Sequence, residues 1–327
     1  MGSQASSTAS PEGAGPNATS APNVERPLKV AIIALNFQRY EETRGCLESL
    51  RSLRHPTTVY WVDNASSEHA AAALAREYPE AKCLPLQHNE GYAGGMNHGI
   101  RAALADDATH CLLLNNDARV TPPLLDQLLA LYGAQKDAGI VGPCVRALPP
   151  EPFVQSAGID VNLYTGRVLL RGAGELPEAL YPYPCKVDAV SGAALLVSRK
   201  VLEHVGLLEP SYFFYFEDIE LCLRARRAGF ATYVHPNAVV YHRGGATIGA
   251  APEKVYYAVR NQLRVLCAHA VKLPVPLSWA RSSFVIGLHT TQLLNEQTVP
   301  ILPGLLRLGM GVRHYLQGRG GAWGPSA

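Results

Sequence analysis

The feature that most constrains the fold is a regular succession of continuously apolar runs and helical segments. The apolar runs are KVAIIALN, TVYWVDN, HCLLLNND and AGIVGPCV, all between residues 29 and 145. A run that is apolar throughout, rather than at alternate positions, predicts a strand buried on both faces of a parallel sheet. Helices are predicted over about 41–53, 70–78 and 122–132, and a glycine-rich loop followed by a helix precedes HCLLLNND. The alternation predicts an α/β fold with an open, mostly parallel, Rossmann-like sheet and helices on both faces.

The pattern changes after Pro149. VQSAGIDVNLYTGRVLL predicts a hairpin with its turn near Tyr-Thr-Gly, and VDAVSGAALLVSR predicts a further strand. EDIELCLRARRAG predicts a helix with Gly229 near its C-cap, and ATYVHP and AVVYH predict two short strands.

Three regions follow from composition. Residues 1–27 are rich in Ser, Ala, Pro, Gly and Asn and predict a disordered tail, and residues 28–270 form the α/β domain. Residues 271–327 are apolar and mildly basic, with five Lys or Arg against Glu296. This C-terminal segment is expected to be helical, and two interpretations stay open: an appendage that packs on the domain, or a surface that rests on anionic lipid.

Charge and cysteine content exclude several classes of protein. With 29 Lys+Arg against 27 Asp+Glu, the net charge of +2 does not indicate a nucleic-acid partner. The seven cysteines are scattered and form no CxxC pair, which argues against a disulfide framework or a structural zinc site. Because no run of about 18 apolar residues occurs, we expect a cytoplasmic protein, peripheral at most to the inner face of the membrane.

Polar side chains follow three of the predicted strands. Asn36 ends the first strand, Asp63 and Asn64 end the second, and Asn116 and Asp117 end LLLNND. In open parallel sheets, ligands bind beyond the carboxyl ends of the strands. We therefore expect a shared ligand site at this edge, although Asn and Asp are also common turn residues.

An acidic cluster follows an aromatic run. Glu217 and Asp218 begin the helix after SYFFYF, where the helix dipole stabilises negative charge. An acidic first turn is a common cap, but an apolar wall beside a carboxylate can tune its basicity for general-base catalysis.

Two further segments are candidate ligand sites. HNEGYAGGMNHGI carries Gly94, Gly95 and Asn97 into a helix whose N-terminus would attract phosphate or hydroxyl-rich ligands. Asp117 could hold a hard divalent cation together with diphosphate oxygens, and His242, just before two glycines, could be a metal ligand. No G-x-G-x-x-G follows the first strand, which argues against a dehydrogenase.

In this order the segments resemble family-2 inverting glycosyltransferases of the GT-A fold, particularly the bacterial rhamnosyltransferase-like branch of polysaccharide biosynthesis. The resemblance covers about residues 29–266. It is carried by VAIIALNFQR, VDNAS, NEGYAGGMNHGI, LLLNNDARV, VSGAALLVSRKVLEHVGLLEPSYFFYFEDIELCLRARRAGF, VVYHRGGAT and YYAVRNQLRVL, the last of which includes Arg260-Asn261.

The resemblance implies a role for individual residues. Asp218 would be the general base with Glu217 beside it, and Asp63 would bind the imide N–H of uracil or thymine. Asn36, Asn64, Gly94, Gly95, Asn97 and Asn116 would contact the nucleotide-sugar donor. Asp117, helped by His242, would bind Mg²⁺ or Mn²⁺ bridging the diphosphate, although Asn115 stands where the family's D-x-D motif begins with Asp. The acceptor would be a saccharide or a lipid-linked saccharide.

Two other functions compete with glycosyl transfer. A sugar-phosphate nucleotidyltransferase also uses an open α/β sheet and a divalent metal, but NFQRYEET is a poor substitute for its glycine-rich basic loop. A degenerate, non-catalytic subunit that binds nucleotide sugars is suggested by Asn115 alone.

Overall fold

The structure is a computed structural model that describes residues 27–66, 68–151, 153–180, 182–244, 251–296 and 299–323. The predicted disordered tail therefore lies almost wholly outside the described residues. The strands are β1 (Val30–Asn36), β2 (Thr57–Asp63), β3 (Lys82–Pro85), β4 (His110–Asn115), β5 (Ala118–Val120), β6 (Ala138–Ala147), β7 (Val154–Ser156), β8 (Ile159–Val161), β9 (Val168–Leu170), β10 (Cys185–Val187), β11 (Ala194–Ser198) and β12 (Ala231–His242). The helices are α1 (Tyr40–Leu50), α2 (Glu68–Glu77), α3 (Gly91–Ala105), α4 (Leu124–Ala134), α5 (Arg199–Val205), α6 (Glu217–Arg227), α7 (Glu253–His269), α8 (Val275–Glu296) and α9 (Ile301–Leu316).

The central sheet has the order β10-β12-β6-β11-β4-β1-β2-β3. β1 pairs in parallel with β2 and β4, and β6 pairs in parallel with β12, while β11 runs antiparallel between β4 and β6. The predicted open, mostly parallel α/β sheet is confirmed. The predicted hairpin is also present, since β8 and β9 form a separate two-stranded sheet.

The sheet is covered on both faces, as the unbroken apolar runs predict. In β1, Ile33 belongs to an apolar core that includes residues of α3, α5 and α6 on one face, while its neighbour Ile32 belongs to a core with residues of α1, α2 and α4 on the other. Both side chains are fully buried. Burial of alternate residues on opposite sides explains why the strand needs apolar residues at every position.

Three local predictions were wrong. The glycines from Gly91 to Gly99 lie inside α3 rather than in a loop before it. VDAVSGAALLVSR forms two strands, β10 and β11, because residues 188–193 leave the sheet and present Gly192 to α6. ATYVHP and AVVYH form one strand, β12, whose register against β6 shifts between His235 and Val239.

The C-terminal helices α7, α8 and α9 form a unit with its own small apolar core, which includes Val259, Leu263 and Val285. The backbone of α9 approaches α7 closely at Gly311, where a Cβ atom would lie 2.7 Å from the carbonyl oxygen of Tyr256. The helical prediction for this segment is confirmed. No helix in the described part of the chain is both long and apolar enough to cross a membrane.

Candidate active site

The polar residues at the strand ends come together as predicted. Asn36 Nδ2 donates to Asp63 Oδ1 at 2.8 Å, because β1 and β2 pair in register with these two residues opposite each other. Thr43 Oγ1 on α1 donates to Asn36 Oδ1 at 2.8 Å, and Asn116 Nδ2 donates to Thr43 Oγ1 at 2.9 Å. These side chains are buried and form one network across β1, β2 and β4.

A cleft of about 270 Å³ lies at this edge of the sheet. Asn64, Asn116, Asp117 and His242 line it, whereas Asn36 and Asp63 are buried at the adjoining strand ends. Aromatic rings supply much of the remaining wall: Phe37, Tyr92, Phe213, Phe214 and Tyr215. A concave site with apolar walls and a few convergent polar groups is typical of a small-molecule pocket.

The candidate metal ligands meet because β5 pairs with the end of β12. Ala118 lies opposite His242 in this pairing, which brings the preceding Asp117 to the histidine. Asp117 Oδ1 lies 3.0 Å from His242 Nε2. Burial tends to raise the pKa of Asp117, but the hydrogen bond and charge of His242 outweigh it and lower that pKa.

His242 is held by a residue that the sequence did not single out. Its Nδ1 lies 2.8 Å from Gln155 Oε1, and Gln155 Nε2 donates to the His242 carbonyl at 2.8 Å. Because an amide oxygen only accepts, Nδ1 carries the proton and Nε2 is left to face Asp117. An Nε2 lone pair and a carboxylate oxygen at this distance need a proton or a cation between them.

The donor set fits Mg²⁺ or Mn²⁺ that takes its other ligands from diphosphate and water. Asn115 Nδ2 also lies 3.2 Å from His242 Nε2, so the position that begins the family's D-x-D motif borders the same point. Within the described ranges there is no group of three His, Cys, Asp or Glu side chains able to hold a metal. A cation at this point would need further ligands from substrate oxygens or water.

Asp218 is held by backbone amides. Gly192 N donates to its Oδ2 at 2.7 Å, and Ile219 N donates to its Oδ1 at 2.7 Å. A Cβ at Gly192 would lie 3.1 Å from Asp218 Oδ2, so this backbone approach is close. Burial raises the pKa of Asp218, whereas these amide donors act to lower it.

Glu217 has different surroundings. It is 5% exposed, and its Oε2 is buried without a hydrogen-bond partner. Burial, and then the charge of Asp218, raise the pKa of Glu217 well above its usual range. The pair therefore combines a carboxyl group that favours its neutral form with a neighbour held by two N–H donors, a division typical of acid–base sites.

The acidic pair and the metal pair border the same aromatic wall. Burial and the nearby charges of Glu217 and Asp117 raise the pKa of Tyr215 to about 12. Burial, and then the nearby charges of Glu217, Asp218 and Asp117, raise the pKa of Tyr92, whose hydroxyl donates to Gly192 O at 2.9 Å. Asp117 thus lines the cleft itself, whereas the acidic pair lies next to Tyr92 and Tyr215 in its wall.

The loop before α6 has an unusual backbone. Phe213, Tyr215 and Phe216 all have positive φ, between 65° and 71°. Phe213 is the centre of a γ-turn, in which Phe214 N donates to Tyr212 O at 2.7 Å. Such conformations cost about 1–3 kcal/mol for each residue and persist only where the surroundings enforce them.

Gly94, Gly95 and Asn97 have structural contacts. A Cβ at Gly95 would meet the side chain of Leu35 at 2.5 Å, and Asn97 bonds to both N–H and C=O of Leu208. The N–H groups of Tyr92 and Ala93 at the start of α3 donate to Phe213 O. Packing thus accounts for these residues, and their contact with a donor stays a prediction.

The sequence analysis missed Gly192 and Gln155. Gly192 lies within a segment read as one continuous strand, and a glycine inside such a pattern is a known signal of close backbone approach. Gln155 carried no comparable signal, because its contact with His242 spans 87 residues and depends on the pairing of β6 with both β7 and β12.

The sequence model of glycosyltransferase-like family 2 matches residues 27–268. The chain belongs to this family. It is a glycosyltransferase, as the resemblance implied, and the competing prediction of a nucleotidyltransferase has no support from this match.

Two relatives act in rhamnose transfer according to their names. The N-acetylglucosaminyl-diphospho-decaprenol L-rhamnosyltransferase of Mycobacterium tuberculosis is 25% identical over 279 residues, covering 79% of this chain and 91% of the relative. The dTDP-rhamnosyl transferase RfbF of Shigella flexneri is 27% identical over 248 residues, covering 73% and 79%.

Solved structures confirm the GT-A fold. The mannosyltransferase PcManGT of Pyrobaculum calidifontis, solved with GDP-Man and Mn²⁺, superposes with a TM-score of 0.53 at 15% identity, covering 91% of this chain and 83% of that one. S. aureus TarS residues 1–349, solved with UDP-GlcNAc, also gives 0.53, at 13% identity, covering 89% and 93%.

Proposed function

We propose that this glycosyltransferase inverts the anomeric centre as it moves a sugar from a uridine- or thymidine-diphosphate donor, with a rhamnose-type donor favoured. The observation that carries the proposal is a cleft lined by Asp117 and His242, with the Glu217–Asp218 pair next to its aromatic wall. Tyr92, which lines the cleft, donates to Gly192 O, and Gly192 N donates to Asp218. Transfer with inversion needs one carboxylate on the acceptor side and positive charge on the donor side, and it needs no enzyme nucleophile.

Asp218 is the proposed general base. It takes the proton from the acceptor hydroxyl while that oxygen attacks the anomeric carbon in line with the departing diphosphate. Burial raises the pKa of Asp218, and the N–H donors of Gly192 and Ile219 partly offset that rise by favouring its ionised form. Glu217, which favours its neutral form, keeps a second negative charge away from the attacking oxygen and orients its neighbour.

Asp117 and His242 are the proposed ligands of Mg²⁺ or Mn²⁺. The bound cation would stabilise the negative charge of the departing nucleoside diphosphate. Gln155 keeps Nε2 of His242 directed at the site through its bond to Nδ1, as partners of ligating histidines commonly do.

The nucleotide is proposed to bind at the ends of β1 and β2. Asp63 would accept the imide N–H of uracil or thymine, with Asn36 and Asn64 beside it. Rhamnose is favoured as the donor sugar because the names of both relatives specify rhamnosyl transfer and one of them specifies dTDP.

A lipid-linked saccharide is the favoured acceptor, because the mycobacterial relative is named for a decaprenol-linked one. The outer surface of α8 and α9 supports a peripheral contact with the inner face of the membrane. Leu277, Trp279, Leu302 and Leu306 are each at least 55% exposed there. Between 275 and 295 the one charged residue is Arg281, whose Nη1 donates to Val271 O.

Charge complements this apolar surface. Residues 271–323 contain five Lys or Arg and one acidic residue, a balance that favours an anionic leaflet. On α9, the helical repeat of 100° per residue puts exposed Leu302, Leu306, Arg313 and Leu316 in one stripe. Arg313 can extend its charged end to lipid headgroups while its stem lies along the apolar surface.

The direct test measures nucleoside diphosphate released from a panel of uridine-, thymidine- and guanosine-diphosphate sugars, with lipid-linked and soluble saccharide acceptors. We expect acceptor-dependent release from a thymidine or uridine donor, and its loss in EDTA. A calorimetric titration of the same panel separates binding from turnover. Binding without turnover for any donor and acceptor would instead identify a non-catalytic subunit.

A further inference from the structure

Arg260 on α7 is fully buried and reaches the loop before α6. Its Nη2 donates to Tyr212 O at 2.8 Å and to Ser211 O at 3.3 Å, and its Nη1 donates to Gly321 O at 2.7 Å. The guanidinium also lies over the rings of Tyr256 and Tyr257, about 5 Å from each centroid. Carbonyl dipoles and ring faces therefore surround this buried cation, and burial lowers its pKa.

Asn261 continues the same set of contacts. Its Nδ2 donates to the carbonyls of Tyr212, Phe214 and Tyr215 at 2.8–2.9 Å. Arg260 Nε donates to Asn261 Oδ1 at 2.9 Å, which leaves the asparagine amide group directed at the loop. Together the two side chains bind four backbone carbonyls of the loop, those of Ser211, Tyr212, Phe214 and Tyr215.

These carbonyls belong to the strained segment that positions the acidic pair. Phe213, Tyr215 and Phe216 have positive φ, and α6 begins at the next residue, Glu217. A relaxed loop would turn the start of α6 and displace the carboxylates that follow. Backbone of this kind persists only where surrounding contacts over-determine it, and α7 supplies the contacts.

We propose that Arg260 and Asn261 are positioning residues for Glu217 and Asp218, which they hold in place by fixing the 211–216 loop. The inference rests on the proposed function for its catalytic meaning. It also makes the C-terminal unit part of the active-site support, because Gly321, beyond α9, accepts from Arg260 and donates its own N–H to Ser211 O.

The test compares Asn261→Asp and Arg260→Lys with wild type and with the control Leu263→Ala. Asp has the shape of Asn but turns a carboxylate toward three carbonyls, and Lys keeps the charge without the planar fork. Leu263 is buried on the same helix in the α7–α9 core, a cluster separate from the one that includes Tyr212. Its truncation lowers stability without removing a loop contact.

We expect both substitutions to lower kcat about 100-fold or more, the usual penalty for a misplaced catalytic group, with donor KM within about threefold. Leu263→Ala should lower the melting temperature yet keep kcat within about threefold. Hydrogen exchange should accelerate in residues 211–220 of Asn261→Asp and Arg260→Lys, but not of Leu263→Ala.

Two results would overturn the positioning role: losses of kcat that merely follow melting temperature across all three variants, or unchanged exchange in residues 211–220. Wild-type protein that turns over no donor would overturn the proposed function instead. Hydrogen exchange would still decide whether the pair holds the loop.

Discussion

At the scale of single residues, the adjacent carboxylates Glu217 and Asp218 have different surroundings. Asp218 receives two backbone N–H bonds, and Glu217 leaves one buried oxygen without a partner. This difference cannot be read from sequence, because the Gly192 amide comes from a segment 26 residues away. The acidic pair itself was recognisable from its aromatic flank and helical position.

Burial of the Glu217 carboxyl group makes the stability of the folded protein depend on pH. Its folded-state pKa is raised above the unfolded value of about 4.3, so the folded protein binds the proton more tightly and stability falls as pH rises above that value. Glu217→Gln cannot ionise. We expect its melting temperature to exceed that of wild type by several degrees at pH 8, with the gap closing toward pH 4.5.

Thermal melts across pH 4.5–8 measure this difference. Glu178→Gln is the control, because Glu178 is exposed and its substitution makes the same change of side chain without removing a buried carboxyl group. A gap between Glu217→Gln and wild type that is constant with pH would contradict the raised pKa.

Asn115 is a second residue whose side chain we expect to set a property of the site, its affinity for a divalent cation. Asn115→Asp adds a carboxylate beside Asp117 and His242 Nε2. We expect apparent Mn²⁺ affinity in the presence of nucleoside diphosphate to rise about tenfold, a gain of about 1.4 kcal/mol. In EDTA the added charge should repel Asp117 and lower the melting temperature.

Calorimetry with Mn²⁺ and a nucleoside diphosphate tests the Asn115 prediction. Asn237→Asp, on an exposed position of β12, makes the same charge change away from the site. Equal Mn²⁺ affinity for Asn115→Asp and wild type would show that residue 115 does not reach the cation.

At the scale of elements, periodicity located most of the fold. The predicted ends of α1, α2 and α4 fall within about three residues of the observed ones, because apolar periodicity and prolines mark them. Two of the three failures concern glycines. Gly91–Gly99 were assigned to a loop by propensity, yet Gly95 and Gly99 let α3 pack closely on β1, and tertiary packing outweighs the helix penalty.

The proposed contact with the membrane is made by helices α8 and α9. Deleting them is a poor test, because Arg260 binds Gly321 and the deletion would disturb the 211–216 loop. The double substitution Leu302→Asp/Leu306→Asp instead changes two outward side chains, which are 70% and 60% exposed. We expect binding to anionic vesicles to fall at least about tenfold, with turnover of soluble acceptor unchanged.

Vesicle co-sedimentation measures this loss. Leu169→Asp/Leu170→Asp on β9 is the matched control, since these leucines are also exposed but belong to the separate hairpin. Equal sedimentation of both double variants and wild type would contradict a lipid-facing surface on α9. A dimer that the α9 variant dissociates would identify a second copy as the occupant.

At the scale of the whole molecule, the sequence predicted the fold class, the family and the edge of the sheet where the polar residues and the cleft lie. Those features depend on local apolar runs and ordered motifs. The contacts that hold the site residues in place could not be predicted in the same way. Gln155 reaches His242 and Arg260 reaches Tyr212 only after the C-terminal helices and the β6–β7 hairpin have packed.

The proposed catalytic residues depend on contacts from many parts of the fold. Asp218, the proposed base, is held by a glycine from the segment before β11 and follows a loop bound by α7, and the cleft lies at the ends of β1, β2 and β4. A loss of the base should therefore leave the rest of this assembly, including donor binding, in place.

Turnover of Asp218→Asn at saturating donor and acceptor, measured as nucleoside diphosphate released, tests the central claim most directly. General-base catalysis contributes about 10²–10⁴-fold, so we predict a fall of that size with the donor Kd within about threefold of wild type. Turnover within about threefold of wild type would contradict the assignment of Asp218 as the base.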